Sequence, residues 1–232
     1  MAAAGSGERL GAGGPKAFVS LAGKPMVEWS IAACRGAASV RSIVIVCPPG
    51  HVHDFAGDVG VVDGGATRAE SVRNALDSVD TELVAIHDAA RPLISAELIE
   101  NVVATLVGDP EAAGAIAAAP VADTIKQVAS ISPSTDTFAP HDGPNVPLAV
   151  ESTLDRDRLW GAQTPQVFRV AALQVAVAAA ADGISSATDE AMMVEAAGGR
   201  VLIHPSPAEN LKVTTPFDRR LAELLLGERS AQ

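Results

Sequence analysis

Several short stretches of this 232-residue chain have the residue types and spacing to handle phosphate. One is Ala2-Ala3-Ala4-Gly5-Ser6-Gly7-Glu8-Arg9, followed by Pro15-Lys16. Gly5 and Gly7 let backbone approach an anion closely, and Arg9 and Lys16 bring positive charge to triphosphate oxygens. A Gly-x-Gly by itself is also an ordinary turn, and it is the cations after it that favour the anion. The segment is not a P-loop, because Gly-x-x-x-x-Gly-Lys-Ser/Thr is absent, nor a dinucleotide fingerprint, because the third glycine is missing.

A second stretch, Asp63-Gly64-Gly65-Ala66-Thr67-Arg68-Ala69-Glu70-Ser71, reads as a strand end, a glycine turn and a helix start. Exposed amides and the Ser71 hydroxyl there can read a base edge, while a plain βα turn capped by Thr67 and Glu70 uses the same residues. The third is His87-Asp88-Ala89-Ala90-Arg91-Pro92, directly after an apolar run. That places Asp88 at the carboxyl edge of a sheet, where open α/β folds bind ligands. Asp88 suits Mg²⁺, a hard ion that prefers carboxylate, water and phosphate oxygens, and Arg91 suits an acceptor phosphate; an Asp–Arg surface salt bridge is the plainer alternative.

The elements that must hold these residues alternate. Ser42–Cys47, Val59–Val62, Glu82–Ile86 and Gly114–Val121 are short apolar runs typical of parallel strands covered on both faces. Met26–Cys34, Arg68–Val79 and Ala96–Val107 carry apolar residues at intervals of three and four, and Ser95 caps the last of them. Val170–Ala181, Asp189–Ala197 and Pro216–Leu226 read as further helices, and Arg200–His204 as a strand. The alternation predicts an α/β fold: a Rossmann-like, mostly parallel sheet flanked by helices, formed by one domain over residues 1–232. Within it, residues 123–156 leave the pattern. Strand-like Asp123–Val128 and Val150–Leu154 bracket a Pro- and Ser-rich stretch, predicting a protruding β-hairpin arm suited to dimer contacts.

Composition excludes several classes. Hydrophobic residues make up 48% of the chain, enough for a sizeable core, so the bulk is not disordered. Seventeen Lys and Arg against 28 Asp and Glu leave a net charge of −11, and aromatics are 3%, both against nucleic-acid binding. Two cysteines, Cys34 and Cys47, make no disulfide framework, and no apolar run reaches the roughly 20 residues that span a bilayer. A cytoplasmic protein without membrane contact is expected. His51 and His53 form a His-x-His without further ligands nearby, and Trp29 and Trp160 are expected as core filling.

The order of motifs is more telling than any one of them. The glycine loop, Gly-Gly-x-x-Arg-x-x-Ser, His-Asp-Ala-Ala-Arg-Pro, Asp-Thr-Ile-Lys, Thr-Pro-Gln, Thr-Asp-Glu-Ala and Asn-Leu-Lys-Val-Thr follow one another over nearly the whole chain. In this the chain resembles the 2-C-methyl-D-erythritol 4-phosphate cytidylyltransferases, enzymes that transfer CMP from CTP to an alditol phosphate in non-mevalonate isoprenoid precursor biosynthesis. The resemblance implies that Ala3, Ala4, Gly5, Ser6 and Gly7 lie along the ribose and phosphates of CTP. It implies that Gly65, Ala66 and Ser71 read cytosine, and that Arg9, Lys16 and Lys212 carry the catalytic charge. Asp88 matches the residue associated with Mg²⁺. Arg91, Thr164 and Asp189 fall near the acceptor, and Thr124 and Arg156 complete the acceptor site of a partner subunit in a homodimer.

The closest alternative is a ribitol 5-phosphate cytidylyltransferase, which shares fold, loop and cytosine recognition. One departure stands out: the family carries a full apolar strand before the glycine loop, and here only Met1 and Ala2 precede Ala3. A poorly held loop with weakened CTP affinity is the expected consequence, with a catalytically silent CTP-binding scaffold as its extreme.

Overall fold

In the computed structural model, residues 1–5, 14–48, 55, 59–65, 68–130, 148–181 and 188–230 are described. They form two compact units, one made of Met1–Ala118 with Ala162–Gln232 and one of Ala119–Gly161.

The larger unit is α/β with a mixed sheet. A small antiparallel pair, β1 (Ser20–Leu21) and β2 (Lys24–Pro25), leads into helix α1 (Met26–Gly36). Strands β3 (Ile43–Cys47) and β4 (Val59–Asp63) pair in parallel. After helix α2 (Arg68–Leu76) comes β5 (Leu83–Ile86), then α3 (Ala96–Val107) and β6 (Gly114–Pro120). Following the smaller unit, β9 (Trp160–Arg169) runs into α4 (Val170–Ala181), and α5 (Glu190–Ala196), β10 (Val201–Pro205) and α6 (Pro216–Ser230) close the chain. The four-stranded sheet has the order β10-β6-β9-β5, with β10 parallel to β6 and β5 antiparallel to β9. The predicted strands and helices are present with ends shifted by a few residues. The antiparallel β9 in mid-sheet has no counterpart among them.

Strand periodicity sorts the core onto two faces. Ile116 of β6 and Phe168 of β9 pack with Val72 and Leu76 of α2, Leu173 and Val177 of α4, and Met193 of α5. The intervening Ala115, Ala117 and Val167 pack with Leu98, Val102 and Leu106 of α3. A sheet helix-covered on both faces reads as continuous apolar runs, which is why β3 and β6 are legible as strands. The α3 start is fixed by Ser95, whose hydroxyl accepts from Leu98 N at 3.1 Å. The α6 start carries a reciprocal cap: Asp218 Oδ2 accepts from Thr215 N at 2.8 Å while Asp218 N donates to Thr215 Oγ1 at 3.2 Å.

The first residues join the two sheets. Ala2 forms parallel bridges with Val46 of β3 and with Asp88 just beyond β5. Ala2 N donates to His87 O at 2.8 Å, Ala3 N to Val46 O at 3.0 Å, and the Met1 ammonium to Val44 O at 2.6 Å. Between β3 and β5 beneath Met1 lies an apolar cavity of about 500 Å³, bounded by residues such as Val44, Leu76, Ala85 and Val103.

In the smaller unit, β7 (Lys126–Ser130) and β8 (Leu148–Thr153) form an antiparallel ladder with a register shift at Gln127/Val128. These strands replace the predicted Asp123–Val128 and Val150–Leu154; residues 131–147 lie outside the described residues. Trp160, expected as filling, is 39% exposed, whereas Trp29 donates from Nε1 to Leu21 O at 2.9 Å beneath the Lys24 ammonium.

A Cβ on Gly114 would run into the Phe168 ring and crowd the Val167 carbonyl, and Phe168 is fully buried. Gly114→Ala is therefore expected to destabilise the protein by about 1–3 kcal/mol through overpacking, read as a lowered urea midpoint at unchanged m-value.

Candidate active site

Three of the sequence stretches meet at the carboxyl edge of the parallel strands. Gly64, directly after β4, donates from N to Cys47 O at the end of β3 at 2.7 Å. A Cβ there would lie 3.1 Å from both the Ala4 Cβ and the Cys47 carbonyl, so any larger residue would have to push this turn a few tenths of an ångström away from the first loop. Beside it Gly65 N donates to the Ser71 hydroxyl at 3.1 Å, which binds the turn to the first helical residues of α2. On the other side of the loop Ala2 bridges to Asp88. Ala3 is 2% exposed, Ala4 is half-buried and Gly5 is exposed, and Lys16 N closes the loop by donating to Gly5 O at 3.1 Å. Ser6, Gly7, Arg9, Ala66, His51 and His53 lie outside the described residues.

The charged centre is a pair. Asp88 is 7% exposed, and Lys212 Nζ donates to its Oδ2 at 2.6 Å. The lysine side chain is 43% exposed, so its far side faces solvent while its head is held against a buried carboxylate. Two residues 124 positions apart meet because the loop after β10 is pinned onto the turn after β5: Val213 N donates to Ala90 O at 2.8 Å.

Around Asp88 the backbone is fixed by polar side chains. Asp88 N donates to Thr164 Oγ1 at 3.0 Å, and Thr164 Oγ1 lies 2.9 Å from His87 Nδ1. His87 Nε2 faces the Arg91 carbonyl, which can only accept, at 3.3 Å, so the neutral ring carries its proton on Nε2 and Nδ1 accepts from the Thr164 hydroxyl. Burial is the main cause holding the His87 pKa down to about 4, against the opposing pull of Asp88. Arg91 is only 8% exposed, its Nη1 donates to Asn210 O at 2.7 Å, and its Nε has no partner among the described residues. This guanidinium ties the turn after β5 to the loop that carries Lys212. Asp189 also works within the fold. It caps α5, its Oδ1 accepting from Met192 N at 3.0 Å, and its Oδ2 accepts from Gln166 Nε2 at 2.9 Å. Thr124 and Arg156 belong to the smaller unit and are exposed, with Arg156 Nη1 donating to Ala122 O at 2.8 Å.

Sequence reasoning missed Asn210, which is 1% exposed. Its Nδ2 lies 2.9 Å from both Gln163 Oε1 and Thr164 O. Its place in Asn-Leu-Lys-Val-Thr, two residues before the lysine, carries no local signal of that burial. His87 is built into the same network, against Thr164 and Arg91.

The family model for 2-C-methyl-D-erythritol 4-phosphate cytidylyltransferase matches residues 1–228. The chain belongs to this family. It is therefore a cytidylyltransferase, a nucleotidyltransferase enzyme. The 2-C-methyl-D-erythritol 4-phosphate cytidylyltransferase of Nitrosomonas eutropha is 38% identical, over 99% of this chain and 96% of that protein. The bifunctional enzyme IspD/IspF of Anaeromyxobacter dehalogenans is 40% identical over 97% of this chain, which spans 56% of that longer protein. The crystal structure of the Thermus thermophilus cytidylyltransferase superposes with a TM-score of 0.73 at 33% identity, covering 92% of this chain and 94% of that one. Among the described residues no helix is long and apolar enough to cross a membrane.

The low His87 pKa carries a sign. Its folded value of about 4 lies below the ordinary 6.5, so the unfolded chain takes up a proton that the buried ring refuses. Stability is then intact above about pH 6.5 and declines toward pH 4, by about 2 kcal/mol on reaching about pH 5. Urea unfolding of wild type and His87→Gln at both pH values checks this: the variant is expected to show a smaller acid-induced loss.

Proposed function

We propose that this cytidylyltransferase takes CTP and 2-C-methyl-D-erythritol 4-phosphate as substrates, and that the Asp88–Lys212 pair beside the glycine loop marks where the α-phosphate reacts. The juxtaposition of that pair with the loop, through the Ala2–Asp88 bridge, carries the reading.

Residues Ala3, Ala4, Gly5, Ser6 and Gly7 line the ribose and triphosphate. Gly65, Ala66 and Ser71 meet cytosine. An acceptor phosphate oxygen attacks the α-phosphorus in line. One P–O bond forms to the acceptor as the bond to the α,β-bridging oxygen breaks, and its electron pair departs with pyrophosphate. The nucleophile is already an anion, so no proton has to be removed. The protein's task is alignment and charge neutralisation, performed by Lys16, Arg9 and Lys212 in a cleft where fixed donors act more strongly than in water. Such local cations also explain how a chain with net charge −11 takes two polyanions.

The donor set suits Mg²⁺. Such an ion can use a single carboxylate and fill its remaining positions with water and substrate phosphate oxygens. Asp88 would hold it, and the ion would supply further neutralisation of phosphate charge. Thr164, Arg91 and Asp189 are assigned to the acceptor side of the site.

The smaller unit exposes Leu148, Val150, Leu154 and Trp160, between 38% and 59%. Apolar surface of this kind supports the reading that the unit is an arm covered in a homodimer, with Thr124 and Arg156 serving the partner's acceptor site. A cytoplasmic location accords with the two unpaired cysteines.

Pyrophosphate release should be fastest with CTP and methylerythritol phosphate when other nucleotides and ribitol 5-phosphate are run in parallel; equal or faster turnover with ribitol 5-phosphate contradicts the acceptor. Lys212→Ala and Lys16→Ala are each expected to lose about 10²–10³ in kcat with little change in CTP binding, as for loss of an oxyanion donor. Near-normal turnover at saturating substrates would show the charge assignment to be wrong. Val150→Asp is expected to shift the sedimentation coefficient toward the monomer, and no shift counts against the arm contact.

A further inference from the structure

We propose that Asn210 is a positioning residue for the transfer reaction, setting Lys212 against Asp88 through a closed ring of buried hydrogen bonds. The inference rests on the reading of Lys212 as the charge at the transferring phosphate.

The ring has four members. Thr164 Oγ1 meets His87 Nδ1 at 2.9 Å, and His87 Nε2 meets Arg91 O at 3.3 Å. Arg91 Nη1 donates to Asn210 O at 2.7 Å, and Asn210 Nδ2 returns to Thr164 O at 2.9 Å. None of the four is more than 8% exposed. The ring ties together the turn after β5, the middle of β9 and the loop after β10. Asn210 is the member that supplies both a side-chain donor and a backbone acceptor from that last loop. Its Nδ2 also lies within reach of Gln163 Oε1 at 2.9 Å and Ser206 Oγ at 3.1 Å.

Lys212 therefore hangs between two anchors. On one side Asn210 is clamped to Thr164 and Arg91. On the other, Val213 N is bound to Ala90 O at 2.8 Å. Bringing a lysine head to a fixed partner costs both backbone and rotamer freedom; with the backbone pinned on both sides, only the rotamer share remains to be offset by the 2.6 Å contact with Asp88 Oδ2. Asn210 itself is nearly inaccessible, so any effect on catalysis passes through residues it holds, and a double-mutant cycle separates Lys212 from Thr164 and Arg91. A shift of about 1 Å in a catalytic group can cost as much as 10²-fold in rate.

The test is a double-mutant cycle on kcat, with ¹⁵N signals of the Lys212 ammonium as a readout independent of turnover. Asn210→Ala should lower kcat about tenfold or more while the KM for CTP stays within about threefold, and the ordered Lys212 signal should broaden or vanish. In a Lys212→Ala background the same substitution should cost nothing further. Asn210→Ser, which keeps one donor toward Thr164 O, should fall between wild type and alanine and serves if the alanine variant does not fold. Unchanged kcat and lysine signal in a folded Asn210 variant would overturn the inference, as would losses that multiply in the Lys212→Ala background. If wild type itself turned over no CTP and acceptor, the proposed chemistry would fail, and the lysine signal would still decide whether Asn210 positions Lys212.

Discussion

A carboxylate that is only 7% exposed must be paired, because an isolated buried charge costs several kcal/mol. Asp88 meets that demand with Lys212, and much of the larger unit is arranged so that it can. The residue lies at the carboxyl end of a short strand, in register with Ala2 on one side. Its backbone is held by Thr164 from β9, and the lysine arrives on a loop locked by Asn210 and Val213. Breaking such a pair leaves a charge with nowhere to go, so the surrounding ring protects it more than any single surface ion pair would need.

The antiparallel pairing of β9 with β5 serves the same site. A strand in this direction brings Thr164 level with the end of β5, since Ile86 pairs with Gln166 and Thr164 stands two residues before it. Gln166 in turn fixes Asp189 at the start of α5. Polar residues on a buried strand are costly unless every one is bonded, and here they link neighbouring elements instead of facing apolar side chains. The first residues contribute at the opposite flank, where Met1–Ala3 connect β3 to the β5 edge above the 500 Å³ cavity.

Much of this was legible in the sequence where one physical signal dominated. Continuous apolar runs such as Ile43–Cys47 can belong only to elements covered on both faces, and the capping serine before α3 marked a helix start. Strand β9 was illegible because Trp-Gly-Ala-Gln-Thr-Pro-Gln-Val-Phe-Arg mixes proline and glutamine with its apolar residues, and the partners that satisfy Thr164 and Gln166 are distant in sequence, where no local period reaches. At the site, the motif order marked Asp88 and Lys212, which the structure brings into contact. Whether Arg91 and Asp189 meet a ligand or brace a loop was not legible, since a charged residue in a motif looks the same in either role. Asn210 was overlooked for the converse reason: an uncharged amide advertises no chemistry until its partners, 46 and 119 positions away, are placed.

The most direct test of the central claim is the single-turnover rate of CMP transfer by Asp88→Asn at saturating CTP, acceptor and Mg²⁺, measured beside its melting temperature. Asparagine keeps the shape and removes the charge that orders Lys212. The account predicts a rate lowered by about 10² or more in a protein that still folds. A rate within about threefold of wild type, with only the melting temperature reduced, would contradict it and reduce the Asp88–Lys212 pair to a structural salt bridge.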